Sequence, residues 1–285
     1  MDSRPIGVFD SGLGGLTVVR ALQRQLPRED LIYLGDTARV PYGTRSPQTV
    51  IRYARACAYE LVSRQVKCIV IACNTVSAVA VDHLRAEHDM PVLGVVAPGA
   101  QAAVKQVKSL ESGQGLKIGV LGTRGTIASG AYPRAVAQQT SRYEVVAQPA
   151  PLLVPLVEEG WLSGEVPRAV VAQYLTPLLA QGVAVIVLGC THYPLLEPVV
   201  RAVAEEIAGH PIPVVDSALA TAEAIEELFI KEQLQRSSRE TPGKLELLVT
   251  DQPGGFAEVA ELFLGKIQTD ITQVDLKPVA DPSAS

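Results

Sequence analysis

Lysine and arginine form no cluster anywhere in this chain, and 25 of them stand against 30 aspartates and glutamates, for a net charge of −5. Binding to a phosphate backbone requires a basic patch, so nucleic acid is not expected as the primary partner. Long hydrophobic runs are missing too. Even the apolar stretch 183–190 has only strand length, well short of the ~18 consecutive apolar residues of a spanning helix, so no membrane partner is expected. The opening residues MDSRPIGVFD contain one Arg and no apolar core with a small-residue cleavage site; no export signal is read, and a cytoplasmic location is expected. Charged residues make up only 19% of the chain while apolar ones reach 47%, a balance that excludes a disordered chain. At about 150 residues per domain, 285 residues imply two modest domains or one large one. Cysteine is scarce, at four residues without a C-x-x-C pair. A cytoplasmic chain with a core of this size needs no disulfide, so the thiols are read as chemistry or packing.

What is present is a regular alternation. Short apolar runs at 5–9, 31–35, 67–72, 92–96, 117–122, 144–147, 183–188, 212–215 and 245–249 read as buried strands. Between them lie segments with apolar residues three and four apart, such as Val18, Val19, Leu22 and Leu26, or Val50, Tyr53, Ala54, Cys57 and Leu61, the spacing of a helix face. Such alternation predicts an α/β fold of doubly wound, mostly parallel sheets, with ligands bound beyond the carboxyl ends of the strands. The strand-to-helix turns fall into two sets. One holds Asp10-Ser11, Gly35-Asp36, Pro41-Tyr42-Gly43-Thr44 and Cys73-Asn74-Thr75; the other holds Gly122-Thr123, Cys190-Thr191-His192 and Asp216-Ser217. Two similar domains facing each other are therefore expected, 1–97 with 212–285 forming a discontinuous first domain and 98–211 the second. The tail after Lys277 is expected to be disordered.

Cys73 and Cys190 each close an apolar strand, IVIAC and VIVLGC, where the chain turns into a helix. Free N–H groups and the positive dipole end there are expected to lower a thiol pKa, making each a base or a nucleophile; a disulfide between them is the rival reading. Cys57, in a helical apolar stripe, and Cys68, at the beginning of a strand, read as small buried hydrophobes. The turn FDSGLGGLTV resembles a phosphate loop, although its glycines fall at relative positions 1, 3 and 4 where the dinucleotide fingerprint has 1, 3 and 6. Asp10 ends an apolar strand, where its carboxylate could orient an amino group or a base. His192 could share the Cys190 proton or hold a substrate carboxylate, whereas His83, His88 and His210 sit in polar contexts that read as solvated faces. Glu158 and Glu159 follow the apolar stretch PLLVPLV, and a helix surface explains at least one of them. No lysine stands where a Schiff base would need it, since Lys67 and Lys117 precede their strands. Zinc is not expected, because neither thiol has a close second ligand except His192.

The strings DSGLGGLTV, GDTARVPYGTRS, ACNTVSA and GCTHYPLL together resemble the glutamate racemases of the aspartate/glutamate racemase superfamily. The resemblance runs from about residue 6 to 220. It implies two α/β domains enclosing the active site, a homodimer, and a cofactor-independent enzyme that interconverts L- and D-glutamate to supply D-glutamate for peptidoglycan. Cys73 and Cys190 resemble the two catalytic bases, and Asp10, Glu158 and His192 the supporting acids and bases. Ser11, Tyr42, Gly43, Asn74, Thr75, Thr123 and Thr191, together with Asp10 and His192, resemble the ligands of the substrate's charged groups. The chemistry agrees, because inverting an α-carbon without a cofactor requires one group to remove a proton from one face and another to donate one to the opposite face. A nucleotide-dependent oxidoreductase using the Gly12 to Gly15 turn, a two-lobed solute-binding module and an aspartate racemase are the alternatives. Activity is expected to survive exhaustive removal of metal ions and pyridoxal phosphate; turnover that disappears on chelation and returns with zinc would contradict this reading.

Overall fold

The computed structural model describes residues 2–110, 116–236, 241–252, 256–266 and 269–277. The tail after Lys277 lies outside the described residues. Strand and helix alternate as β1 (Ile6–Asp10), α1 (Leu16–Gln25), β2 (Leu31–Gly35), α2 (Pro47–Ser63), β3 (Cys68–Ile71), α3 (Asn74–Glu87), β4 (Val92–Gly94) and α4 (Val96–Ser109). They continue as β5 (Lys117–Gly122), α5 (Arg124–Ala128), α6 (Ala131–Ala137), β6 (Glu144–Pro149), α7 (Leu153–Glu158), α8 (Glu165–Leu179), β7 (Val183–Gly189) and α9 (Glu197–Ala208). The chain then forms β8 (Val214–Asp216), α10 (Ser217–Glu232), β9 (Leu245–Val249), α11 (Phe256–Leu264) and β10 (Ile271–Gln273).

Every pairing is parallel, in one sheet of order β10-β9-β2-β1-β3-β4 and a second of order β6-β5-β7-β8. Successive residues of a strand face opposite sides of its sheet, so a strand covered on both faces must be apolar throughout. In the first sheet Phe9, Ile32, Leu34, Ile69 and Ile71 pack on one face against Val50, Leu61, Val76 and Leu84 of α2 and α3. On the other face Ile6, Val8, Tyr33 and Val70 join Val18, Val19 and Leu22 of α1 and Ile225 and Phe229 of α10. The second sheet buries Ile118, Val120, Val185 and Val187 against α4 and α6. Its opposite face, with Leu121, Ile186 and Leu188, belongs to the same core that covers α1 and α10. One continuous apolar layer thus joins the two sheets, and parallel pairing brings all carboxyl ends of each sheet to a single edge.

Several expectations need correction. The division placed at 212 would give 212–215 to the first domain, but Val214 and Asp216 pair with Ile186 and Leu188 of β7, so this strand forms an edge of the second sheet. The chain crosses back along α10, which contacts both α1 and α4. The Asp216 carboxylate caps α10 by accepting from the Ala218 N–H at 2.8 Å, and the Ser217 hydroxyl donates to Leu188 O. The run expected as a strand at 92–96 stops at Gly94 because Val96 already begins α4. The strand β10 had no signal, being three residues that pair only with β9.

At the amino ends of the strands, far from the carboxyl edge, Lys67 is wholly buried and donates to Glu29 Oε2 at 2.6 Å, Leu234 O at 2.8 Å and Asp2 O at 3.0 Å. Glu29 Oε1 in turn accepts the Arg236 N–H at 2.9 Å. This ion pair fastens the chain beyond α10 to the first sheet. Removing one partner of a buried pair strands the other charge without solvent, a cost of roughly 3–5 kcal/mol. Lys67→Met is therefore expected to lower the denaturant midpoint strongly, with Lys67→Met/Glu29→Gln recovering part of the loss; a single variant as stable as the parent would show that the pair contributes nothing.

Candidate active site

The carboxyl edges of the two sheets enclose a cavity of about 430 Å³. Cys73 enters its wall beyond β3, after the single residue Ala72, as the residue preceding the first turn of α3, and Cys190 does so directly after β7. Both are buried and free. Ser11, Asn74, Thr75, Thr191 and His192 also line the space, as do Gly43, Thr123 and Glu158. The wall is closed by contacts between the two sheets' turns. Gly14 runs so close to the second sheet that a Cβ there would stand 2.3 Å from Thr191 Oγ1 and 2.5 Å from His192 Nδ1. Thr17 Oγ1 donates to Thr191 O at 3.1 Å, and the Gly125 N–H donates to Gly43 O at 3.1 Å. Thr75 Oγ1 lies 3.0 Å from Thr123 Oγ1 and 3.1 Å from Thr126 Oγ1. The Tyr132 hydroxyl donates to Asn74 Oδ1 at 2.7 Å, which turns the Asn74 amide nitrogen away unpartnered.

The thiols have unlike surroundings. Cys73 Sγ lies 3.3 Å from Ser11 Oγ. Burial pushes this thiol up to about 12 and the Asp10 carboxylate adds to the shift, with only the Ser11 hydroxyl and the Val76 N–H opposing. The lowering expected from the helix start is real but outweighed by desolvation. Cys190 Sγ lies 3.9 Å from His192 Nδ1, while His192 Nε2 lies 3.1 Å from Glu158 Oε1. Burial opposes charge on this ring, yet its bonds to Cys190 and Glu158 prevail and push His192 up to about 10. Glu158 is half-exposed, so the row Cys190, His192, Glu158 leads from the buried sulfur to solvent. Among the expected carboxylates it is Glu158, not its neighbour Glu159, that reaches this row.

Asp10 does not line the cavity; it lies beneath it, fully buried. Its carboxylate accepts the Gly15 N–H at 2.9 Å and the Gly12 N–H at 3.3 Å, leaving Oδ1 without a partner. The N–H groups that a nucleotide phosphate would need are therefore occupied by the chain's own carboxylate, which removes the basis for a dinucleotide loop. Desolvation raises the Asp10 pKa, against those two N–H bonds and the charge of His192. Tyr42 lines the cavity, but its hydroxyl donates to Asp36 Oδ2 and is not free for a substrate carboxylate. Asp36 also holds Arg39 at 2.7 Å and accepts the Thr250 hydroxyl at 2.9 Å. Thr250 Oγ1 accepts the Ala38 N–H at 2.9 Å, and the Asp251 N–H donates to Thr37 Oγ1 at 2.8 Å, so the turn after β9 fastens the wall loop 36–44. Thr126, Tyr132 and Thr250 carried no signal as site residues, since each acts through another side chain and none belongs to a turn motif; Asp36 stood out in the Gly35-Asp36 turn, but its hold on Tyr42 did not. Cys57 and Cys68 are buried in α2 and β3, as read from their settings. Among the described residues no three of His, Cys, Asp and Glu converge to hold a metal ion.

Residues 6–225 match the family model described as Asp/Glu/Hydantoin racemase. The chain belongs to the Asp/Glu/hydantoin racemase family. It is similar along almost its whole length to the glutamate racemase of Geobacter metallireducens, at 45% identity over 97% of this chain and 98% of the relative. The glutamate racemase of Neisseria meningitidis serogroup C is 46% identical over 96% of this chain and 97% of its own. The crystal structure of Francisella tularensis glutamate racemase in complex with D-glutamate superposes with a TM-score of 0.86 at 34% identity, covering 96% of this chain and 98% of that one. Among the described residues of this racemase-family chain, no helix is long and apolar enough to cross a membrane.

The charge on His192 is open to measurement. Its folded-state value is raised from the ordinary 6.5 to about 10, so the stability it contributes is complete below about pH 6.5 and is lost as pH rises through about 10. With only four histidines in the chain, imidazole NMR signals can be followed one by one. Glu158→Gln should move the His192 titration downward, toward 6.5; a parent ring that already titrates near 6.5 would refute the charged state.

Proposed function

We propose that this chain racemises glutamate by two-base proton transfer, with Cys73 and Cys190 acting on opposite faces of the α-carbon. The observation that carries this reading is that two cysteines, one from each sheet, line the same cavity. In one direction Cys190, as the thiolate paired with the protonated His192, takes the α-proton of the substrate and becomes the thiol. The electron pair left on carbon is shared with the adjacent carboxylate. Cys73, held as a neutral thiol by its burial, then delivers its own proton to the other face and is left as thiolate. In the reverse direction the two sulfurs exchange roles. Loss or gain of one proton at each sulfur balances the cycle, and the His192–Glu158 row offers Cys190 a route to exchange with solvent.

The turns around the sulfurs supply the remaining groups. Asn74 Nδ2 and the hydroxyls of Ser11, Thr75, Thr123 and Thr191, with the backbone at Tyr42 and Gly43, hold the substrate's charged groups. Donors aimed at a developing charge in a water-poor site stabilise it far more than water would. Asp10, with one buried oxygen unpaired, supports the charge of His192 from below and positions the Ser11 turn. The two sheets, with α10 as the return, make up two lobes around the substrate. The same reading makes the protein a cytoplasmic, cofactor-independent homodimer supplying D-glutamate for peptidoglycan, which is what its resemblance to glutamate racemases implies.

Cys73→Ala and Cys190→Ala should each fold and each lose racemisation in both directions by several orders of magnitude, since neither face can be served twice by one sulfur. In deuterated water, D-glutamate formed from L-glutamate should carry deuterium at the α-carbon. Circular dichroism with aspartate and glutamate in parallel assigns the substrate. Near-normal racemisation by either alanine variant, or bulk return of the original hydrogen, would overturn the two-thiol mechanism.

A further inference from the structure

Arg124 is the single lysine or arginine among the residues lining the cavity. It is exposed and makes no hydrogen bond or ion pair among the described residues. Nothing local rewards a cation there, because Arg124 is the first residue of α5 and the free N–H groups at a helix start favour an anion. Its backbone, by contrast, is firmly mounted. On one side Thr123 Oγ1 meets Thr75 Oγ1 at 3.0 Å; on the other the Gly125 N–H donates to Gly43 O, and a Cβ on Gly125 would stand 2.9 Å from that oxygen. The charge is thus carried to the cavity rim on a rigid base, while the other charged groups of the wall, Glu158 and His192, satisfy one another.

We infer that Arg124 is a specificity-determining residue, the cation that draws a dicarboxylate into the cavity and holds the carboxylate remote from the reacting carbon. This rests on the two-thiol racemase reading above. A carboxylate next to the reacting carbon must lie near the sulfurs, where the wall offers amide and hydroxyl donors. The second carboxylate of an acidic amino acid extends away from them, and the rim cation supplies a charge-assisted partner that a neutral amino acid would not use. An unpaired surface cation also raises the encounter rate of an anionic substrate, and that contribution is screened by salt.

Steady-state racemisation by the parent, Arg124→Gln and Arg124→Lys, each measured at ~50 mM and ~300 mM salt where screening differs most, tests the inference. Arg124→Gln should raise KM for glutamate about tenfold with kcat changed far less, and kcat/KM should lose most of its salt dependence. Arg124→Lys should retain that dependence and recover part of KM. Calorimetric binding of glutarate, which needs no turnover, should weaken by a similar factor in Arg124→Gln. An Arg124→Gln enzyme with parental KM, parental salt response and parental glutarate affinity would make Arg124 an ordinary solvated side chain and overturn the inference, even with glutamate racemisation intact. A parent that binds glutarate in an Arg124-dependent way yet racemises nothing would instead sink the racemase reading alone.

Discussion

The site exists because two turns pass each other at contact distance, and Gly14 is what allows it. A single Cβ at that position would occupy the space of the Thr191 hydroxyl and the His192 ring, which are neighbours of one thiol, while Gly14 itself follows Ser11, the neighbour of the other. Parallel pairing directs every strand's carboxyl end in each sheet to one edge, but edges alone do not make a closed chamber. Closure comes from the crossing contacts, Thr17 to Thr191, Gly125 to Gly43 and Thr75 to Thr123. Each uses a backbone group or a short hydroxyl, so the spacing between the sulfur-bearing turns is set by atoms with little freedom to move. A reaction that must reach both faces of one carbon depends on such a fixed span.

Burial works against the chemistry and also makes it possible. Taking a thiol out of water disfavours its charged form, which is why Cys73 rises to about 12 despite standing at a helix start. The same exclusion strengthens each remaining interaction, so a single ring with two partners, His192, holds a proton up to about pH 10. The two sulfurs therefore rest in different states of readiness. Cys73 has near it the Ser11 hydroxyl, the Val76 N–H and a deeply buried carboxylate; Cys190 adjoins a chain of proton-bearing groups that ends at the surface.

The fold was legible in the sequence because parallel strands covered on both faces must be apolar throughout, and runs such as LIYLG and KIGVLG begin and end where the strands do. The edge strand β10 was not, since three residues carry little pattern, and the run 212–215 showed a strand without showing that β8 pairs with β7. The sulfur positions could be read from strand endings alone. What could not be read was the direction of the Cys73 shift, which depends on how much protein surrounds the thiol, or the true partner of Tyr42, which is decided by Asp36 six residues away and by the path of a loop. Glu158 and Glu159 are indistinguishable as letters; a 3.1 Å bond to His192 separates them.

The fastening of loop 36–44 by Thr250 and Asp251 has a consequence for biosynthesis. Chain synthesis runs from the amino end, so the strands carrying Asp10 and Cys73 leave the ribosome long before β9 does. Until then β2 is a bare sheet edge, open to pairing with another chain. The wall loop that carries Tyr42 and Gly43 likewise has no partner for Asp36 from the far end. Both sulfurs are thus present in the nascent chain well before the chamber that shields them. Completion of the wall waits for β9 and the turn that follows it.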